Sequence, residues 1–168
     1  MNKGNTTIRK ANISDLSRLT EIYNQAIDAG YCTCDTEHFL VQERQPWFNE
    51  HQDRRCPIFV YVLEEDVVGY SYISSYRKGR QALNEVGEIS YYVDFSYHGF
   101  GIAKRLIEHT IQAAKSLGYT SLIAILLDSN RESISLLKKY RFEEWGVLPK
   151  VAKLNNKYYS HLYYGLKI

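Results

Sequence analysis

The stretch Glu88-Ile89-Ser90-Tyr91-Tyr92-Val93, followed by Asp94-Phe95-Ser96-Tyr97 and then His98-Gly99-Phe100-Gly101-Ile102-Ala103, carries the pattern that decides the fold. Its first six residues are rich in β-formers, and a turn with two glycines leads into a segment of helical periodicity. A strand that ends in such a turn presents unpaired backbone N–H groups together with the positive end of a helix dipole, which makes an anion site. Glycine suits these positions because a side chain would hold a pyrophosphate away from the backbone. The spacing is neither the GxGxxG of dinucleotide sites nor the GxxxxGK[ST] of nucleotide hydrolases, so neither of those cofactors is implied.

Downstream, Ala103, Leu106, Thr110, Ala114 and Leu117 recur at helical spacing, with Gly118 placed to end the helix. The apolar run at residues 122–127 predicts a buried strand, residues 130–140 a short helix, and residues 147–168 two closing strands with a turn at Asn155-Asn156. Upstream, residues 58–63 and 67–73 predict a hairpin joined by Glu64-Glu65-Asp66, followed by the basic loop Arg77-Lys78-Gly79-Arg80. Further back, a short strand at residues 7–10 precedes a capping box at Asn12 and Asp15, which opens a helix with apolar positions Leu16, Leu19, Tyr23, Ala26 and Ile27. Gly30 ends that helix. A second helical stretch is expected around residues 36–45, interrupted at Pro46, which starts a further turn through Trp47 and Phe48. The order β-α-α-β-β-β-α-β-α-β-β predicts an α/β domain over residues 1–168, a mixed sheet with helices on both faces.

Composition agrees with one ordinary globular unit. The chain has 168 residues, 45% hydrophobic and 24% charged, which excludes disordered, collagen-like and fibrous readings. Twenty-one Lys and Arg against 19 Asp and Glu leave +2, too little for a chain whose main partner is a phosphate backbone, so no nucleic acid is expected. The longest uncharged apolar run is strand-sized, and the polar start Met1-Asn2-Lys3-Gly4-Asn5 has no signal-peptide core. A soluble, cytoplasmic protein with no membrane partner is the expectation. Cys32, Cys34 and Cys56 are unclustered and lack histidines at ligand spacing, which predicts reduced thiols and no metal. Fifteen tyrosines, against six Phe and two Trp, imply many half-wet ring positions.

A second motif, Asn130-Arg131-Glu132-Ser133-Ile134-Ser135-Leu136, runs on to Arg141-Phe142. Together the two motifs resemble those of the GNAT superfamily of N-acetyltransferases: a pyrophosphate loop [RQ]-x-x-G-x-[GA], with His98 in place of Arg or Gln, and a later Asn-x-x-[SA]-I-x-L. Within it, Ile22-Tyr23-Asn24-Gln25-Ala26-Ile27, Asp35-Thr36-Glu37, Trp47-Phe48-x-x-His51, Arg80-x-Ala82 and Glu88 before Val93 resemble the phosphinothricin and methionine-sulfone acetyltransferase branch. The resemblance implies the GNAT fold with a mostly antiparallel sheet, acetyl-CoA as donor, transfer to the amino group of a small amino-acid-like acceptor, and a homodimer. It also implies roles. The backbone of Tyr91, Tyr92 and Val93 would run beside the pantetheine arm. His98, Gly99, Phe100, Gly101, Ile102 and Ala103 would cradle the pyrophosphate, and Asn130 would bond to the coenzyme. Glu88 would be the general base, and Lys78 and Arg80 would hold an anionic group of the acceptor. Other amines (a polyamine, an aminoglycoside, a protein N-terminus) and a catalytically weak CoA-binding module are the alternatives.

Chemistry asks independently for a base, because an amine of pKa ~10 is mostly protonated near neutral pH and only the neutral form attacks a thioester. Leu137 stands where many relatives place a Tyr or His to protonate the departing coenzyme. A thiol of pKa ~8.5 leaves at neutral pH against a deficit of only about 2 kcal/mol, so the step survives that loss. Arg141 replaces the usual Gly before Phe142, Leu83 the usual aromatic after Ala82, and Cys34 sits at a commonly aromatic position. Blander readings stand beside these. Glu88 serves equally as a solvated strand residue, Asn130 as a helix cap, and Arg77 as part of a wet hairpin end. His98 suits loop positioning better than proton transfer. Tyr158, Tyr159, Tyr163 and Tyr164 suit sheet faces and a dimer contact, and the cysteines with His38, His51, His109 and His161 read as structural or exposed.

Overall fold

Alternation of apolar and polar residues in the strands, and apolar stripes in the helices, produce a single sheet flanked on both sides. The computed structural model describes residues 5–168, so all but the last residue of the polar start lies outside the described part. In chain order the elements are β1 (Thr6–Lys10), α1 (Leu16–Ala29), α2 (Val41–Glu50), β2 (Ile58–Leu63), β3 (Asp66–Ser75), β4 (Val86–Val93), α3 (Ile102–Ser116), β5 (Ser121–Leu127), α4 (Arg131–Lys139), β6 (Glu143–Leu154) and β7 (Lys157–Lys167). The strands order as β1-β2-β3-β4-β5-β7-β6, and every neighbouring pair is antiparallel except β4 and β5. This is the expected mixed, mostly antiparallel sheet.

Two cores follow from the pleat. Ile58 and Val60 of β2 face α1 and α2, where they pack with Leu16, Leu19, Ile22, Phe48 and Tyr70. Phe59 and Tyr61, one residue out of phase, meet His109 and Arg105 of α3 on the other face. There α3 and α4 bury Ile107, Ile111, Ala114 and Leu137 against Ile73, Ile89, Leu122, Ala124 and Leu162. Each Val, Leu, Ile or Phe among them removed from water contributes about 1.5–3 kcal/mol, which holds both helix layers to the sheet.

The differences from expectation have local causes. The Asn12–Asp15 box is present, with the Asp15 carboxylate accepting the Asn12 N–H at 2.8 Å, but it caps a 3-10 turn over Ile13–Asp15 from which α1 continues. Asp15 is also gripped by both Arg9 nitrogens at 2.7 and 2.9 Å, tying β1 to the start of α1. The second helix is displaced: residues 31–40 are irregular, and α2 runs through Pro46 instead of breaking there. Its start is fixed by Glu43, whose carboxylate accepts the Leu40 N–H at 2.7 Å. Pro46 deprives only the Gln42 carbonyl of its helical partner, and Gln42 is exposed, so water can replace the lost bond. β6 begins at Glu143, earlier than expected, because an exposed edge strand carries charged residues without apolar alternation. Its register breaks between Leu148 and Ala152 around Pro149, a place where an edge strand accepts proline. Arg141 holds the left-handed φ of 63° that a glycine would adopt freely, which explains the residue type usual there.

The functional consequence lies between β4 and β5. They pair only at Val86–Ser121, Gly87–Leu122 and Glu88–Ile123, and beyond that they part. Gly87 permits the close approach, since a Cβ there would meet Ile73, Leu122 and Tyr119 at 3.1–3.2 Å. The rest of β4 bonds to β3 on one side and leaves its other edge without a strand partner among the described residues.

Candidate active site

The wedge between the parting strands opens into a cavity of about 330 Å³, flanked by the start of α3 on one side and the start of α4 on the other. Tyr91, Tyr92, Val93, His98, Gly99, Gly101, Ile102, Ala103 and Asn130 all line it. Phe100 does not: it is 72% exposed and lies outside the cavity lining.

The loop from β4 to α3 is held from both ends. Asp94 accepts the Ser96 N–H at 2.8 Å and binds Arg18 and Gln25 of α1, while Gln25 in turn accepts the Phe95 N–H at 3.0 Å. His98 turns its Nε2 to the Val93 carbonyl at 3.0 Å, closing the loop onto the end of β4. Gly99 and Gly101 have φ of 83° and 76°, and a Cβ on either would touch no protein atom within 4 Å. Packing therefore does not require glycine here; the left-handed backbone does, together with open space in front of the first N–H groups of α3. At the opposite wall, Asn130 accepts the Ser133 N–H at 3.2 Å through Oδ1, capping α4 and leaving Nδ2 without a bond among the described residues. The Tyr91 hydroxyl is buried near Ser133 without a hydrogen-bond partner, and burial pushes its pKa up to about 12 despite the opposing effect of Ser133. An open anion cradle, an unpaired strand edge and an uncommitted amide fit a long ligand with a phosphate-rich head and an amide-bearing arm, as acetyl-CoA has.

Glu88 sits elsewhere. It is the last β4 residue paired to β5, half-buried on the α1–α2 face, and burial raises its carboxyl pKa. Directly opposite in β3 is Ser74, whose hydroxyl lies 3.0 Å from His51 Nε2. Lys78 and Arg80 occupy an exposed turn beyond β3, and neither forms an ion pair among the described residues. The structure thus gathers in one cavity all but Phe100 of the residues that the resemblance assigns to the coenzyme, and leaves Glu88, Lys78 and Arg80 outside its lining, Glu88 on the α1–α2 face and the two cations in the turn beyond β3. Leu137, 1% exposed, is sealed in the core.

Sequence reading missed the aromatic floor of that face. The Arg44 guanidinium is buried 3.9 Å over the Trp47 ring and 4.3 Å over the Tyr23 ring, and Trp47, Tyr72 and His51 pack edge to face beside it. Arginine in a short helix reads as a solvated residue; only the neighbouring Trp47 and the excess of tyrosine hinted at a stacked cation. Among the described residues no three His, Cys, Asp or Glu side chains converge as a metal site, and no helix is long and apolar enough to cross a membrane.

A parted parallel strand pair with a glycine-rich helix start at its mouth defines a coenzyme A-dependent acyltransferase. The comparisons narrow this: residues 18–142 match the Acetyltransferase (GNAT) family, and the chain belongs to it. It is similar to YwnH of Bacillus subtilis (strain 168), whose assignment as a phosphinothricin acetyltransferase is provisional, at 34% identity over 92% of this chain and 94% of that protein. It is 28% identical to the L-methionine sulfoximine/L-methionine sulfone acetyltransferase of Pseudomonas paraeruginosa, over 88% of this chain and 86% of that one. A phosphinothricin acetyltransferase from Sinorhizobium meliloti, solved in complex with acetyl-CoA, superposes with a TM-score of 0.91 at 26% identity, covering 97% of this chain and 88% of the other. The protein is an acetyl-CoA-dependent N-acetyltransferase.

Proposed function

We propose that this enzyme acetylates the amino group of a small amino-acid-like acceptor of the phosphinothricin and methionine sulfone or sulfoximine type. The observation that carries the reading is the position of Glu88, a half-buried carboxyl at the point where β4 leaves β5, between the coenzyme cavity and the turn bearing Lys78 and Arg80. Bound acetyl-CoA supplies an activated acetyl thioester. Gly99, Gly101 and the first amides of α3 hold its pyrophosphate, Asn130 Nδ2 bonds to the arm, and the backbone of residues 91–93 aligns the thioester. Glu88, its pKa raised by burial, takes the proton that an acceptor ammonium must lose. Arg80, and with it Lys78, pairs with the acceptor's carboxylate or oxyacid group. The names of the similar proteins support this acceptor class. In the same reading the 168 residues form one domain of a cytoplasmic homodimer with neither nucleic acid nor membrane as partner.

The test is a panel of amines with release of free thiol as the readout. Methionine sulfone and sulfoximine are expected to turn over and spermidine, which has no anion, to be poor. Arg80→Ala is expected to raise KM for the carboxylated acceptors by about ten- to a hundredfold, the loss of one charged hydrogen bond, with partial rescue by Lys. Efficient spermidine turnover with inert amino acids would overturn the acceptor class.

A further inference from the structure

His51 is a buried titratable group that the mechanism above leaves unused, and its hydrogen bonds determine more than its own placement. It ends α2 with Nδ1 2.8 Å from the Trp47 carbonyl and Nε2 3.0 Å from the Ser74 hydroxyl. A carbonyl oxygen only accepts, so Nδ1 carries a hydrogen. The neutral imidazole has no second one, and Nε2 is then a lone pair to which Ser74 must donate. Burial disfavours the imidazolium; the Trp47 carbonyl and Glu50 oppose that, and the positive charges of Arg44 and Lys78 reinforce it, with a lowered pKa as the result. The single proton of Ser74 is thereby committed to His51, and its oxygen offers only lone pairs to anything else nearby.

The group nearby is Glu88. Ser74 and Glu88 are direct cross-strand partners in the β3–β4 ladder, so both side chains project from the same face with Cβ atoms about 4.5–5.5 Å apart. Tyr72, on the same strand as Ser74, is a further titratable group in the electrostatic neighbourhood of Glu88. We propose that His51 is a positioning residue acting through Ser74 on Glu88: it fixes the serine oxygen as an acceptor and so favours the protonated carboxyl that results when the acceptor amine gives up its proton. The proposal rests on the base role of Glu88 in the reading above. The step is one proton transfer. An ammonium N–H bond breaks, a carboxyl O–H bond forms, the ammonium becomes an amine and the carboxylate a carboxylic acid, and the new O–H finds Ser74 Oγ ready to accept it.

The arrangement also has a second state. When His51 is protonated both ring nitrogens donate, Nε2–H points at Ser74, and the serine proton is released toward Glu88. Ser74 then donates to the carboxylate, stabilises its charged form and weakens it as a base. Through Ser74, His51 would thus set the sign of a hydrogen bond to Glu88, its cross-strand neighbour.

The experiment titrates Glu88 in the full chain by carbon NMR of labelled glutamate carboxyls, with the resonance assigned through Glu88→Gln. Ser74→Ala removes the acceptor, and His51→Phe keeps a ring against Trp47 and Tyr72 while freeing the serine proton. Both are expected to lower the Glu88 titration point by about one pH unit, the scale of a single hydrogen bond, and Ser74→Thr to restore it. The acidic limb of kcat/KM should move by the same amount, with coenzyme affinity by calorimetry unchanged. If Glu88→Gln abolishes the limb but Ser74→Ala and His51→Phe leave the Glu88 titration where it is in the parent, the His51–Ser74 role is overturned and the base role stands. If Glu88→Gln leaves the limb intact, the base role falls and this proposal falls with it.

Discussion

In the base role proposed above, Glu88 would serve chemistry at the expense of stability. A carboxyl whose folded pKa is raised by burial favours folding while protonated, and that contribution fades as pH rises through the raised value. At neutral pH the ionised group therefore costs stability, whereas the base form needed for amine deprotonation is present only on that side. Glu88→Gln is expected to lower turnover by ~10²-fold or more near neutral pH, the usual scale for a general base, with the deficit shrinking at high pH as neutral acceptor becomes available. The same variant should unfold at a higher temperature than the parent at neutral pH and lose that advantage in acid. Steady-state kinetics and thermal unfolding across pH check both halves, and parental activity over the whole range would make Glu88 a packing residue. The contrast with Arg44 marks what residue types disclose. Glu88 is singled out by the family resemblance and by the need of the chemistry for a base, since a strand carboxylate by itself reads equally as a solvated residue. The buried Arg44, with Nε and one terminal nitrogen lacking partners, depends on rings brought from α1 and on Trp47 of its own helix. Apart from Trp47, nothing in the local sequence of α2 encodes that enclosure.

At the scale of elements, the start of α3 is the most constrained feature of the cofactor side. Gly101 is the N-cap with φ of 76°, and space in front of it is open. Gly101→Val is expected to abolish coenzyme binding, because the branched side chain would occupy the anion position and resist the left-handed backbone. The two effects separate by measurement. Calorimetric titration reads binding, while thermal unfolding without ligand reads backbone strain, expected to cost about 1–2 kcal/mol. Unchanged affinity would remove the basis for placing the pyrophosphate here. This element, α1, and the β2–β3 hairpin were legible because their signals are local: apolar spacing of 3 and 4 residues, a capping box, a polar turn between β-rich runs. The start of α2 and the extent of β6 were not. Proline argues against a helix interior unless tertiary packing, here by Phe48 and Trp47, outweighs one lost bond, and an edge strand has little burial to imprint a pattern. The wedge itself is a tertiary fact, set where the β4–β5 register ends, and no periodicity announces it.

At the scale of the molecule, the two helical layers cover β1 to β5 well, but the far end of the sheet is different. β6 is an edge strand that exposes Trp145, Val147, Leu148 and Val151 at 43–56% of their surface. Trp145 itself lies over Gly165 of β7, where a Cβ would come within 2.0 Å of the indole, so the ring is braced flat on the sheet and cannot withdraw into a core. An apolar edge strand left in water invites pairing and aggregation, and proteins blunt such edges with charge, bulges or a covering partner. Here the break at Pro149 blunts the backbone but not the side chains. In the homodimer proposed above, a second copy of the chain would be that cover. Leu148→Glu places a charge among these exposed apolar residues, on a strand too exposed to need Leu148 for folding. The expected outcome is a parent that sediments as a dimer at micromolar concentration and a variant that sediments as a monomer with nearly unchanged thermal unfolding in the dilute limit. Activity measured alongside tells whether the site is complete within one chain, since its cavity, Glu88 and the basic turn all lie on β3 to β5 and the helices beside them. A parent that remains monomeric well above micromolar concentration would remove the second copy as the cover for β6.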